Sequence, residues 1–152
     1  MIRGSTIGDC RILYEMICDL EKTELPYDVF RRIYQSQLES CDYTCFVYEE
    51  DGEVLGCINL RMEYQLHHAE RIAEIMELYV NENCRSKRIG HQLFARASAH
   101  AKASDCTLIE VCCNQVRIRT HAFYEREGMN KSHFKLTKKL TGNVPDMNQF
   151  GI

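Results

Sequence analysis

The sequence holds only two prolines in 152 residues, no Cys-x-x-Cys spacing, no internal repeat and no low-complexity run. Scarce proline beside 45% hydrophobic and 27% charged residues excludes an intrinsically disordered chain. No apolar stretch approaches the ~20 residues that span a bilayer, and MIRGSTIGDC at the start has no signal-peptide apolar region. No membrane partner is therefore expected, and the expected location is the cytoplasm. Cysteine is plentiful, yet the nine residues are odd in number, and Cys112 and Cys113 are adjacent on a predicted strand, where they point to opposite faces. A disulfide scaffold is excluded. Cys41 and Cys45 have no second Cys/His pair at zinc spacing and are read as buried or idle thiols.

The length suits one domain, placed at residues 1–140, with Thr141–Ile152 as a loose tail lacking any period. A net charge of −3 argues against a nucleic-acid partner. Ile2-Arg3 opens a short strand. Thr6 or Asp9 can then cap a helix carrying Ile12, Leu13, Met16, Ile17 and Leu20 on one face. Pro26 sits at the first turn of a second helix, with the stripe Val29, Phe30, Ile33, Tyr34 and Leu38. Tyr43–Tyr48 and Val54–Met62 read as antiparallel strands around the hairpin signal Asp51-Gly52.

Ala73–Val80 reads as a strand, and Ile89, Leu93, Phe94, Ala97 and Ala101 then recur at helical spacing. Between them lies Arg85-Ser86-Lys87-Arg88-Ile89-Gly90, a basic turn entering a helix start, where unpaired N–H groups and the positive end of the macrodipole can hold phosphate. Leu108–Cys113 is a further strand, parallel to Ala73–Val80 through the helical crossover. Thr120–Glu127 reads as a helix ending at Gly128, and His133–Leu140 as a last strand. The expected fold is α/β: a mixed, twisted, mostly antiparallel sheet with a central parallel strand pair and helices on both faces.

Arg85 and Gly90 match the Arg/Gln-x-x-Gly-x-Gly/Ala loop of the GNAT family of N-acetyltransferases, with Arg88 standing where that loop has its middle glycine. Tyr124 and Gly128 match a second motif of the family, with Met129 in place of its Phe. The chain resembles that family, and within it the bacterial aminoalkylphosphonate N-acetyltransferases. The narrower resemblance rests on the order Leu66-His67-His68, Glu74-Ile75-Met76-Glu77-Leu78, Asn114, His121, Phe123-Tyr124, Ser132-His133-Phe134 and Thr137-Lys138.

The resemblance implies acetyl-CoA as co-substrate and a small-molecule amine as acceptor. Pyrophosphate would lie on Arg85, Ser86, Lys87, Arg88, Ile89 and Gly90, and pantetheine against the backbone of Leu78, Tyr79 and Val80, with Asn114 nearby. An ammonium group must lose a proton before it can attack a thioester, so a base is needed. Strict alternation sends Glu74 and Glu77 to opposite faces. Glu74 occupies the family's position for the base and Tyr124 the position of the acid that protonates the departing thiolate. A phosphonate acceptor needs cations, and the candidates, with Glu77 as an anchor, are Arg61, His67, His68, Arg117 and His121. A divalent metal is left open, since scattered histidines fix no ligand set. Dimers are common among the enzymes it resembles, so a homodimer is a candidate assembly. The competing readings are another amine acceptor (polyamine, amino acid or protein amine) and a non-catalytic acyl-CoA-binding module.

Overall fold

The computed structural model describes residues 1–141, and the part of the expected tail from residue 142 onward lies outside them. Five strands run in the spatial order of the sequence: β1 (Ile2–Gly4), β2 (Tyr43–Glu50), β3 (Glu53–Gln65), β4 (Glu70–Val80) and β5 (Cys106–Val111). The first three pairings are antiparallel and β4–β5 is parallel. The helices are α1 (Cys10–Glu21), α2 (Tyr27–Glu39), α3 (Ile89–Ala103) and α4 (Ile118–Arg126). Among the described residues no helix is long and apolar enough to cross a membrane.

Local chemistry sets the boundaries. Thr6 N–H donates to Asp9 Oδ2 at 2.7 Å, and Arg3 clamps the same carboxylate through two nitrogens at 2.8 and 2.9 Å. One buried acid thus fixes the passage from β1 into α1, and the Arg3 hydrogen bonds hold its pKa below the usual carboxylate range. Pro26 is the N-cap of α2, one residue before the helical turn expected for it. Asp51 (φ 53°) and Gly52 (φ 80°) are both left-handed, as a type I′ hairpin turn requires.

The sheet separates two packed layers. Alternation gives α1 and α2 the face bearing Val47 and Cys57, against which Cys10, Leu13, Met16 and Tyr34 pack. The other face carries Phe46, Ile58, Leu60 and Ile75 against Ile89, Leu93, Phe94 and Ala97 of α3 and Tyr124 of α4. The expected stripe on α2 is only partly used. Tyr34 is buried, whereas Val29 and Ile33 are exposed and line an open groove with Arg32, Ser36 and Tyr43.

The last expected strand, His133–Leu140, does not form; every residue from 130 to 140 is exposed and none joins a ladder. A strand exists only with a partner for its N–H and C=O groups, and this one has none among the described residues.

Gly56 lies where side chains of α3 press directly on the sheet. A Cβ there would stand 2.8 Å from the Tyr79 carbonyl oxygen and 3.3 Å from both Ile89 Cγ2 and Leu93 Cδ1. Backbone oxygen cannot move aside cheaply. Gly56→Ala is therefore expected to cost about 1–3 kcal/mol, read as a lower urea midpoint at unchanged slope; an unchanged midpoint would show that this contact is loose.

Candidate active site

The β4–β5 ladder ends at Ile75↔Val111, while β4 continues against β3 as far as Val80. From Met76 to Val80 one edge of β4 is therefore unpaired on the β5 side; there Leu78 and Val80 turn backbone donors and acceptors outward, where an extended ligand could pair with them, whereas Tyr79, expected to do the same, turns its N–H and C=O toward β3. Tyr79 anchors the end of this strand to α1, its hydroxyl donating to Asp19 Oδ2 at 2.7 Å. Burial pushes the Tyr79 pKa up to about 12.

A β-bulge lies at the point of divergence. Asn59 pairs with Glu77 and Leu60 with Ile75, so Met76 is an extra residue on β4. This overturns the alternation argument for the two acids. Directly opposed residues share a face; Glu77 faces Asn59 and Glu74 faces Arg61, and Asn59 and Arg61 are two apart on one strand. Both carboxylates are consequently on the α1–α2 face.

Their environments differ. Glu74 accepts a 2.7 Å charge-assisted hydrogen bond from Arg61, which also contacts Glu63 at 3.4 Å. Glu77 accepts from the amide of Asn59 at 2.9 Å, and the same Asn59 amide reaches Gln37 Oε1 of α2 at 3.0 Å. Burial raises the pKa of Glu77, and the Asn59 hydrogen bond offsets this only in part. Asn59 and Gln37 were not picked out from the sequence; only the bulge reveals them as the groups that hold Glu77.

Arg85, Ser86 and Lys87 lie in a 3₁₀ turn, Glu82–Lys87, capped by Asn81, whose side chain accepts from Asn83 N–H at 3.1 Å. Arg85 approaches Glu82 at 3.5 Å and Lys87 is ion-paired with Glu50. The first bond of α3 runs from Gln92 N–H to the Arg88 carbonyl at 3.1 Å, leaving the N–H groups of Ile89, Gly90 and His91 at the open helix end. That is an anion-binding geometry. Ile89 contributes backbone only, its side chain being fully buried.

Tyr124 is buried against Phe94 and Phe123, and burial raises its pKa strongly, so the hydroxyl keeps its proton at neutral pH. His91 Nδ1 lies 2.8 Å from Glu127 Oε1 and ties the first turn of α3 to the end of the helix carrying Tyr124. This positioning pair also escaped the sequence reading. His121 Nε2 is 2.9 Å from the Asn114 carbonyl, and Asn114 Oδ1 accepts from Val116 N–H. Arg117 joins α4 to α1 through the Leu20 carbonyl at 3.2 Å.

His67 and His68 are not brought to this site. They lie beside each other, ring centres 4.3 Å apart and planes tilted by 46°, in the exposed turn before β4. Glu70 to Glu77 alone spans roughly 23 Å of strand. Among the described residues no group of three His, Cys, Asp or Glu side chains converges in a way that could hold a metal ion.

The profile of the acetyltransferase (GNAT) family matches residues 13–129. The chain is 40% identical over 139 residues to the aminoalkylphosphonate N-acetyltransferase of Salmonella typhimurium, covering 91% of this chain and 90% of that protein. In fold it is similar to a transcriptional regulator from Bacillus halodurans (TM-score 0.84, 23% identity, 92% of this chain and 99% of the other). It is likewise similar to glucosamine-6-phosphate N-acetyltransferase from Arabidopsis thaliana (TM-score 0.79, 21% identity, 93% and 98%).

The position that lacks its glycine has a measurable signature. Arg88 has φ 58° and ψ 25°, a left-handed conformation that costs an L-residue roughly 1–2 kcal/mol relative to glycine. Arg88→Gly is expected to raise stability by about 1 kcal/mol in chemical denaturation, net of glycine's greater freedom in the unfolded chain. A destabilised variant would mean that the Arg88 side chain contributes more than its backbone costs.

Proposed function

Since the chain belongs to the GNAT family of acetyltransferases, we propose that it transfers the acetyl group of acetyl-CoA to the primary amine of a small aminoalkylphosphonate, by direct attack within a ternary complex. The carrying observation is the unpaired edge of β4 beyond Ile75, which runs from a helix N-terminus suited to pyrophosphate to two carboxylates on one face. The phosphonate acceptor is supported by the name and the 40% identity of the Salmonella protein.

In this reading the pyrophosphate takes the N–H groups of Ile89, Gly90 and His91, with Arg85 and Arg88 adding charge. Pantetheine pairs with the outward backbone groups of Leu78 and Val80. The acceptor ammonium loses a proton to a carboxylate, the free amine nitrogen attacks the thioester carbonyl carbon, and a backbone N–H near the bulge stabilises the oxyanion. As the C–S bond breaks, the Tyr124 hydroxyl donates a hydrogen bond and then a proton to the thiolate, and the second proton lost by the nitrogen as it becomes the amide restores the tyrosine.

Glu77 suits the base better than Glu74. Its carboxylate has only an amide donor, and burial raises its proton affinity toward the operating range; Glu74 is engaged by the Arg61 guanidinium and serves to orient that cation. Arg117 is the best-supported phosphonate ligand, since a carbonyl at 3.2 Å and Glu21 at 3.8 Å leave guanidinium donors free.

Two measurements test this. 1-Aminoethylphosphonate is expected to exceed alanine in kcat/KM by on the order of 10²-fold or more, because cations left without their dianion lose charge-assisted bonds; equal values would leave only the generic amine acetyltransferase. Glu77→Gln should lower kcat/KM for the amine by roughly 10²–10⁴ near neutrality. As pH falls through its raised pKa the wild-type Glu77 protonates and cannot accept, so in the variant the acidic limb should be displaced to follow deprotonation of the amine itself. The defect should shrink at high pH, where the amine arrives deprotonated. A limb left in place in Glu77→Gln but displaced in Glu74→Gln would transfer the role to Glu74.

A further inference from the structure

We propose that Asn59 and Gln37 are positioning residues for acyl transfer: Asn59 ties one oxygen of the Glu77 carboxylate and leaves the other for the acceptor, and Gln37 locks the Asn59 amide in that orientation. The inference rests on the reading of Glu77 as the base. The bulge at Met76 brings Glu77 opposite Asn59. The Asn59 amide nitrogen then reaches two oxygens, Glu77 Oε2 at 2.9 Å and Gln37 Oε1 at 3.0 Å. An amide nitrogen carries two hydrogens, and both are used.

The partners dictate the orientation. A carboxylate only accepts, so Asn59 must turn its N–H toward Glu77; the reversed amide would set oxygen against oxygen on both sides. Gln37 reversed alone would set its NH₂ against that of Asn59. Each amide therefore fixes the other. Helix α2 holds Gln37 in place through Tyr34, one turn earlier, which is buried with its hydroxyl oxygen 2.8 Å from both Ser5 Oγ and the Thr6 carbonyl oxygen. The second carboxylate oxygen, Glu77 Oε1, accepts from nothing among the described residues, yet it is not sealed from solvent. It is the oxygen open to an ammonium proton.

A neutral amide also sets how readily that oxygen takes a proton. Burial raises the Glu77 pKa, the Asn59 hydrogen bond lowers it, and the like charge of Glu21 at the end of α1 raises it again. Glu21 lies 3.8 Å from Arg117. The remaining titratable neighbours are the thiols of Cys45 on β2 and Cys57 on β3, which burial pushes up, Cys45 to about 11. Both stay neutral where a carboxylate titrates, and α2 brings only the uncharged Gln37. Asn59 is thus the one donor that restrains the proton affinity of Glu77.

Acetyl transfer to 1-aminoethylphosphonate, followed as released coenzyme A thiol from about pH 5 to 9, tests the pair. Asn59→Leu keeps the size of the side chain and removes the donor, so Glu77 holds its proton to higher pH. The acidic limb of kcat/KM should move up by about one pH unit, with roughly a 10-fold loss on the acid side that shrinks as pH rises, and with unchanged acetyl-CoA affinity. Gln37→Leu, at a half-buried helix position that leaves the sheet untouched, should move the limb the same way by less. In a Glu77→Gln background neither substitution should move it further. If Glu77→Gln itself leaves the limb in place, Glu77 is not the base and this inference falls with that reading. If Glu77→Gln displaces the limb, but Asn59→Leu and Gln37→Leu only lower the rate equally at every pH, the base reading stands and the positioning role alone is overturned. A limb moved by Asn59→Leu and untouched by Gln37→Leu would remove Gln37 from it.

Discussion

One extra residue on one strand organises this molecule. Without the bulge, Met76 would take a place in the ladder, and strict alternation along β4 would send Glu74 and Glu77 to opposite layers. With it, the pleat advances by one, both acids lie on the α1–α2 face, and pairing with β5 stops at the neighbouring Ile75. The bulge therefore gathers the acids on one face and opens the edge beside them, and neither would serve acyl transfer alone.

The two acids acquire separate characters from what β3 places opposite them. Arg61 gives Glu74 a full countercharge, and Asn59 gives Glu77 a neutral amide. Burial with a single amide donor leaves the Glu77 carboxylate short of the solvation it loses, so it binds protons more readily than a carboxylate in water. Gln37 extends the second arrangement into α2, since its side-chain oxygen and the Glu77 carboxylate share the Asn59 amide. Movement of α2 would thus reach Glu77, the base in the proposed mechanism, through one hydrogen-bonded residue.

The fold was largely legible in the sequence, because it depends on periods. The stripe Ile89, Leu93, Phe94, Ala97, Ala101 is wholly buried, and the hairpin signal Asp51-Gly52 forms its turn. What failed depended on a count or a partner. Alternation gave the wrong parity for Glu74 and Glu77 because a bulge carries no residue signature and Met76 is an ordinary strand residue. Likewise, His133–Leu140 has a strand pattern, but pattern records only which face is apolar; the partner edge is a tertiary fact. His67 and His68 were attractive by type and by nearness in sequence to β4, yet sequence nearness along an extended strand is distance in space.

The loop ahead of α3 illustrates how a departure from a family pattern can coexist with the conformation the pattern encodes. Arg88 occupies the left-handed region that a glycine would enter freely, and the turn is held from both sides. Asn81 caps its start, while Ile89, immediately after Arg88, is sealed in the core with Leu93. Core burial of one side chain is worth about 1.5–3 kcal/mol, enough to offset the backbone cost one position earlier. Arginine there adds a cation beside the open N–H groups of α3 that glycine could not supply, so strain and charge are exchanged at a single residue, and the helix start keeps its aim because Ile89, not the loop, fixes it.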